Sequence, residues 1–189
     1  MAEGPCSGDI VLKTENAALE MYRFAALMLG SETEAERLIE TSVAAVDVDP
    51  CADPCAAKGL VRERVIEGAL EIMHRQDPAS FTEVPATEAG SGCIEDDGGT
   101  ALSVTDLSHL VADAGRGPLR EWLSRLSQAQ RAVFVQRAVL GQTNADTARA
   151  INRYARPSVW TPEAVGSLFR QALCSLASAL VHSVPAVQA

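Results

Sequence analysis

Apolar residues recur every three or four positions along most of this chain, and no sustained stretch alternates apolar with polar. That period predicts helices rather than strands. An opening helix carries Leu19, Tyr22, Ala26 and Leu29 on one face and stops at Gly30. Ser31 and Glu34 have the spacing of a capping box. The helix behind them shows Ala35, Leu38, Ile39, Val43 and Val46 on one stripe. Prolines and aspartates from Asp47 to Pro54 make a loop, and Asp53-Pro54 reads as the cap and first position of a third helix. That helix bears Leu60, Val61, Val65, Ala69 and Ile72 and stops near Asp77-Pro78.

From about residue 79 to 101 the pattern lapses. Pro85, Gly90, Gly92, Gly98 and Gly99 surround Glu95-Asp96-Asp97, a composition that buries little surface and predicts a flexible acidic linker. Helical spacing resumes behind Ser103 with Leu107, Leu110 and Val111, then with Leu119, Trp122, Leu123 and Leu126. Ser127 to Gln130 caps a helix running to Gly141, and Thr143 to Asp146 caps one through Ala148 and Ile151, broken at Pro157. Thr161-Pro162 opens a last helix with Val165, Leu168, Phe169, Ala172, Leu173, Leu176 and Leu180. The expected fold is all-α: two small helical modules, 9–78 and 102–184, joined by a linker at 79–101.

Composition agrees with packed helices, since 47% of residues are hydrophobic but only 4% aromatic. No apolar run approaches a membrane span. Met1 to Leu12 carries Glu3 and Asp9 without an export pattern. The five cysteines, Cys6, Cys51, Cys55, Cys93 and Cys174, are too few and scattered for a secreted disulfide scaffold. A cytoplasmic location is expected.

Charge divides the chain in two. Met1 to Val111 holds 7 Lys and Arg against 21 Asp and Glu; Ala112 to Ala189 holds 9 against 4, and all nine cations are Arg. The net −9 of the whole chain hides this opposition.

Leu126 to Phe134, with Gln130-Arg131 and Val133-Phe134 inside it, resembles the opening of the promoter-reading domain of extracytoplasmic-function sigma factors of RNA polymerase. Gly141, Ala148 and Val165 to Leu173 continue the likeness. Tyr22-Arg23-Phe24-Ala25, Leu29-Gly30 and Ala35-Glu36-Arg37-Leu38 are similar to that family's core-binding module. The resemblance implies a sigma-like transcription regulator whose first module docks on RNA polymerase core and whose second, helix-turn-helix-like module reads double-stranded DNA.

The departures change that expectation. The surface that would dock on polymerase is Glu36, Arg37, Glu40 and Thr41, where Arg37 replaces an acidic residue and Glu40-Thr41 a Gln-Glu pair. The third helix, which in the family melts promoters, has no Trp, Tyr or Phe here. Unstacked bases need aromatic faces in a positive groove, so strand opening is not expected. The turn before the last helix carries an apparent insertion of about seven residues, and Gly166 and Leu168 stand where Lys and Arg are common. Cations gather instead at Arg149, Arg153 and Arg156, with Arg170 on the last helix and Tyr154 and Trp160 nearby. Guanidinium groups there could hold phosphates or an acidic protein surface, or form a solvated helix end. Trp122 and Trp160 read first as core or module-packing anchors, Trp122 the more strongly.

Cys51, Cys55 and His74 do not make a zinc site, because His74 lies nineteen residues beyond Cys55 on one helix, roughly 30 Å away. No catalytic arrangement is distinguishable, and no cofactor is expected. The expected function is a sigma-like regulator without promoter-melting activity, not an enzyme. The alternative is a sigma mimic that binds a regulatory protein of anti-sigma type and leaves DNA alone.

Overall fold

The computed structural model describes residues 8–47, 53–82, 116–155 and 158–183. Among the described residues all regular structure is helical: α1 Gly8–Leu29, α2 Glu32–Ala44, α3 Pro54–Gln76, α4 Pro78–Thr82, α5 Arg116–Arg125, α6 Gln128–Ala138, α7 Asn144–Asn152 and α8 Pro162–Ser183. The helix expected behind Ser103, and the 83–101 part of the expected linker, lie outside the described residues. By contacts the chain divides into two compact units, Met1–Ile72 and Met73–Ala189.

In the first unit α1 packs on α2. Gly30 turns the chain between them at φ 70°, a conformation that costs glycine little. Ser31 then accepts from Glu34 N–H at 3.3 Å and starts α2. The Asp53 carboxylate accepts from Ala56 N–H at 2.9 Å at the start of α3. The buried face of α1 is Met21, Phe24, Ala25, Met28 and Leu29. It is turned from the expected stripe, and Leu19 is exposed, because the bulkier Phe24 and two methionines claim the neighbouring face. In α2, Ala35, Leu38 and Ser42 are buried while Val43 points out. In the part of α3 within this unit the buried positions are Ala57, Val65, Ile66, Ala69 and Leu70, and Leu60 is exposed. At Gly68 a side chain would meet Leu38 Cδ1 at 2.4 Å, so its missing Cβ admits Leu38 to the face of α3.

The second unit begins with the last turn of α3. The stretch read as linker starts instead with a helix, α4. Asp77 caps it, accepting from Ser80 N–H at 3.3 Å, and Phe81 is buried. Helix α6 is the hub: α4, α7 and α8 all pack on it, and α8 also contacts α5 and α7. Ser127 and Gln130 exchange both hydrogen bonds of a capping box at the start of α6. Gly141, at φ 63°, turns the chain so that Gln142 N–H donates to Gln136 O at 3.1 Å. The core joins Trp122, Leu123, Val133, Phe134, Val135, Ile151, Trp160, Val165, Leu168 and Leu176. Trp122 meets Phe134 edge-on at 4.9 Å between centroids, and its Nε1–H donates to Ser175 Oγ at 3.1 Å.

Candidate functional site

The residues that could carry recognition in the second unit stand on α7, α8 and the loop between them. Thr143 caps α7: its Oγ1 accepts from Asp146 N–H at 3.1 Å and its hydroxyl donates to Asp146 Oδ2 at 2.6 Å. Arg149 reaches back one turn and donates to Asp146 Oδ1 at 2.8 Å. These two bonds, with the Thr143 hydroxyl foremost, hold the Asp146 carboxyl below the usual aspartate range. Arg149 remains exposed, and Arg153, one turn further at the C-cap of α7, is exposed on the same side. Arg156 lies outside the described residues.

Arg170 is half-buried on α8. A Cβ built on Gly166 would meet Asn144 Nδ2 at 3.0 Å and an Arg170 guanidinium nitrogen at 3.7 Å. Gly166 is therefore where Asn144, at the start of α7, and Arg170 come together against α8. Leu168, expected at a position where cations are common, is buried in the core and cannot face a ligand. The exposed start of α8 is Thr161, Pro162 and Glu163. Thr161 Oγ1 accepts from Ala164 N–H at 3.2 Å. Glu163 is held ionised by its own backbone N–H and by the Thr161 hydroxyl, which lower its pKa.

The residues just before α8 are tied to α7. Asn152 makes two bonds to Trp160: its Oδ1 accepts from Trp160 N–H at 2.7 Å, and its amide donates to Trp160 O at 2.8 Å. The Trp160 ring is buried, and its Nε1–H donates to Phe81 O at 2.8 Å. The Ser158 hydroxyl donates to Thr82 O. Sequence reasoning marked Trp160 as a packing anchor but missed Asn152, whose spacing of eight from Trp160 belongs to no periodic pattern.

Arg131 and Arg137 are structural cations. Arg131 is buried, which pushes its guanidinium pKa down, and its Nε–H donates to Leu123 O at 3.1 Å. Arg137 lies 5.1 Å over the Phe169 ring and donates to Gln142 O. Two of the C-terminal arginines thus serve the fold.

On the first unit, Glu36, Arg37, Glu40 and Thr41 are all exposed on α2, at a spacing that puts them on one face. Thr41 is turned back on the helix, its hydroxyl donating to Arg37 O at 2.7 Å. Among the described residues no group of three His, Cys, Asp or Glu could hold a metal ion, and no helix is long and apolar enough to cross a membrane.

No protein-family model, curated protein or solved structure matches this chain.

Proposed function

We propose that this chain is a sigma-like transcription regulator that engages double-stranded DNA through a helix-turn-helix-like arrangement of α6, α7 and α8, and that it is neither an enzyme nor able to melt promoters. The observation that carries this reading is the packing of α7 and α8. Ala148, Ile151, Val165 and Leu168 are buried, while Arg149, Arg153 and the first turn of α8 are exposed. An exposed start of one helix and exposed guanidinium groups on the helix before it are the parts needed to approach base edges and hold phosphates. The absence of Trp, Tyr and Phe from α3 supports the lack of strand opening. RNA polymerase core is the proposed partner of the exposed α2 face, in a cytoplasmic setting.

Anisotropy of a labelled duplex across a salt series tests the reading. Binding should weaken with salt by about 0.9 log units per log unit for each phosphate neutralised. Changing Arg149 and Arg153 together to Ala should flatten the slope by about two. Permanganate should find no reactive thymines with polymerase present.

A second reading is favoured by Glu163, an ionised carboxylate on the exposed first turn of α8, where it repels phosphate. In that reading the chain is a sigma mimic that binds a regulatory protein of anti-sigma type. Absence of salt-dependent duplex binding at low ionic strength would replace the first reading with this one.

A further inference from the structure

Six side-chain atoms among the described residues are shielded from solvent and have no hydrogen-bond partner there: Gln128 Oε1, Gln136 Oε1, Arg137 Nε, Gln142 Oε1, Asn144 Oδ1 and Thr147 Oγ1. Five of the six fall between Gln136 and Thr147, so the shortfall belongs to one place and not to the core at large. Gln142 N–H donates to Gln136 O at 3.1 Å, and Arg137 donates to Gln142 O, which gathers these three residues about the Gly141 turn. Asn144 and Thr147, one turn apart on α7, share a face with buried Ala148 and Ile151. Asn144 reaches the Gly166 position on α8, and Arg137 lies over Phe169, one turn further along the same helix. Gln136 and Thr147 are both wholly buried. A polar group shut off from water and from partners alike is costly and uncommon in a folded protein.

The unmatched set at this junction is four oxygens and one N–H. Amide oxygens only accept and a hydroxyl does both, so whatever completes the set must mainly donate. An anion would face oxygens. A metal ion would lie among the guanidinium groups of Arg137 and Arg170, the latter 3.7 Å from the Gly166 position. Water is neutral, donates twice, fits between packed helices and needs about two to four polar partners, which these residues supply. We propose that the junction of α6, α7 and α8 is an internal hydration site, where ordered water bonds Gln136 on α6 and Asn144 and Thr147 on α7. The water then makes the link between α6 and the start of α7 that side chains make directly elsewhere, as Trp122 does with Ser175. The site is independent of DNA binding.

The test uses the full chain with Thr147→Val and Gln136→Met, each close in volume to the residue it replaces. Oxygen-17 relaxation dispersion of the solvent detects whole water molecules held inside a protein and ignores exchanging hydroxyl protons. The parent chain should show a long-lived component, and each variant should lose a part of it equal to about one water molecule. Thr147→Val should also lower the melting temperature by about 3 °C, because the water and its other partners are left unmatched. An orphaned hydroxyl gives the opposite sign, since replacing it by a methyl removes a buried polar group that bonds nothing. A dispersion amplitude unchanged in either variant overturns the hydration site, and so does a Thr147→Val melting temperature that stays or rises. Should the variants fail to fold, the parent chain alone decides. Its Gln136 side-chain amide protons should show nuclear Overhauser cross-peaks to long-lived water, and their absence overturns the site.

Discussion

In the first unit the large buried residues are Met21, Phe24, Met28, Leu29, Leu38, Val65, Ile66 and Leu70, with small residues between them, and the side-chain hydrogen bonds lie at the margins. The Lys58–Glu20 pair that ties α3 to α1 is half-exposed at 3.2 Å, a geometry that contributes little. In the second unit side-chain hydrogen bonds reach into the core, two of them across more than fifty residues of sequence. Trp160 reaches Phe81, Trp122 reaches Ser175, and Arg131 reaches Leu123. Buried Gln136, Thr147 and Ser167 add polar groups that the first unit's core, Ser42 apart, does without. A core held by volume accepts substitutes of similar volume. One held by directed bonds is penalised for each partner removed.

The sharpest test of that difference swaps residues at roughly constant volume in both units. Met28→Leu should cost under about 1.5 kcal/mol, as methionine and leucine fill similar space. Asn152→Leu also roughly keeps volume, but it leaves the N–H and the carbonyl of Trp160 without their partner, at about 1–3 kcal/mol for each buried group. Urea unfolding followed by circular dichroism reads both. Equal losses would mean that the second unit is also held by volume alone.

Glycines sharpen the same contrast at smaller scale. Gly59 sits inside α3 with open space where a Cβ would go, so Gly59→Ala should stabilise by roughly 0.5–1 kcal/mol. Gly166 sits inside α8 with the Asn144 amide 3.0 Å from the same position, so Gly166→Ala should gain nothing and should disturb the start of α7. Thermal melts of the two variants should move in different directions.

The same division governs what the sequence discloses. Helix starts were legible because caps are local: Ser31, Asp53, Ser127 and Thr143 each act on a backbone N–H three residues on. The buried face of α1 was not, because Leu19 and Met21 fit helical stripes equally well and only tertiary packing selects Met21. In the second unit Trp122, Phe134, Ile151 and Val165 announced themselves by period. The seat of α4 did not, since Phe81 follows Pro78 at the edge of an acidic stretch and its partners, Trp160 and Ser158, are some eighty residues away. Of the candidate cations, Arg149 and Arg153 stand exposed as expected. Arg170 is half-buried, and the Gly166 position, by lacking a side chain, brings the Asn144 amide and the Arg170 guanidinium together, a proximity no sequence spacing discloses.

The smallest expected effect is a pH dependence seated at the start of α7. Thr143 and Asp146 satisfy each other, and Arg149 closes the chain of contacts, so the Asp146 carboxyl sits below its ordinary value, with the Thr143 hydroxyl the largest cause. A carboxyl depressed in the folded state stabilises it fully above the unfolded aspartate value, about 3.9. That contribution is lost as pH falls through the lower folded value. Asp146 is solvent-facing, so the contribution is small and further weakened by salt. In Asp146→Asn the side-chain oxygen can still accept the Thr143 hydroxyl, but it carries no charge for Arg149 and no proton to lose. The variant should unfold slightly more easily at neutral pH, and the gap should narrow as pH falls below the ordinary aspartate range. Melting temperatures of both proteins between pH 2 and 7 read this directly. Parallel curves would mean that the Thr143–Asp146–Arg149 contacts hold α7 no more firmly than water does, leaving the exposed arginines of that helix without a fixed base.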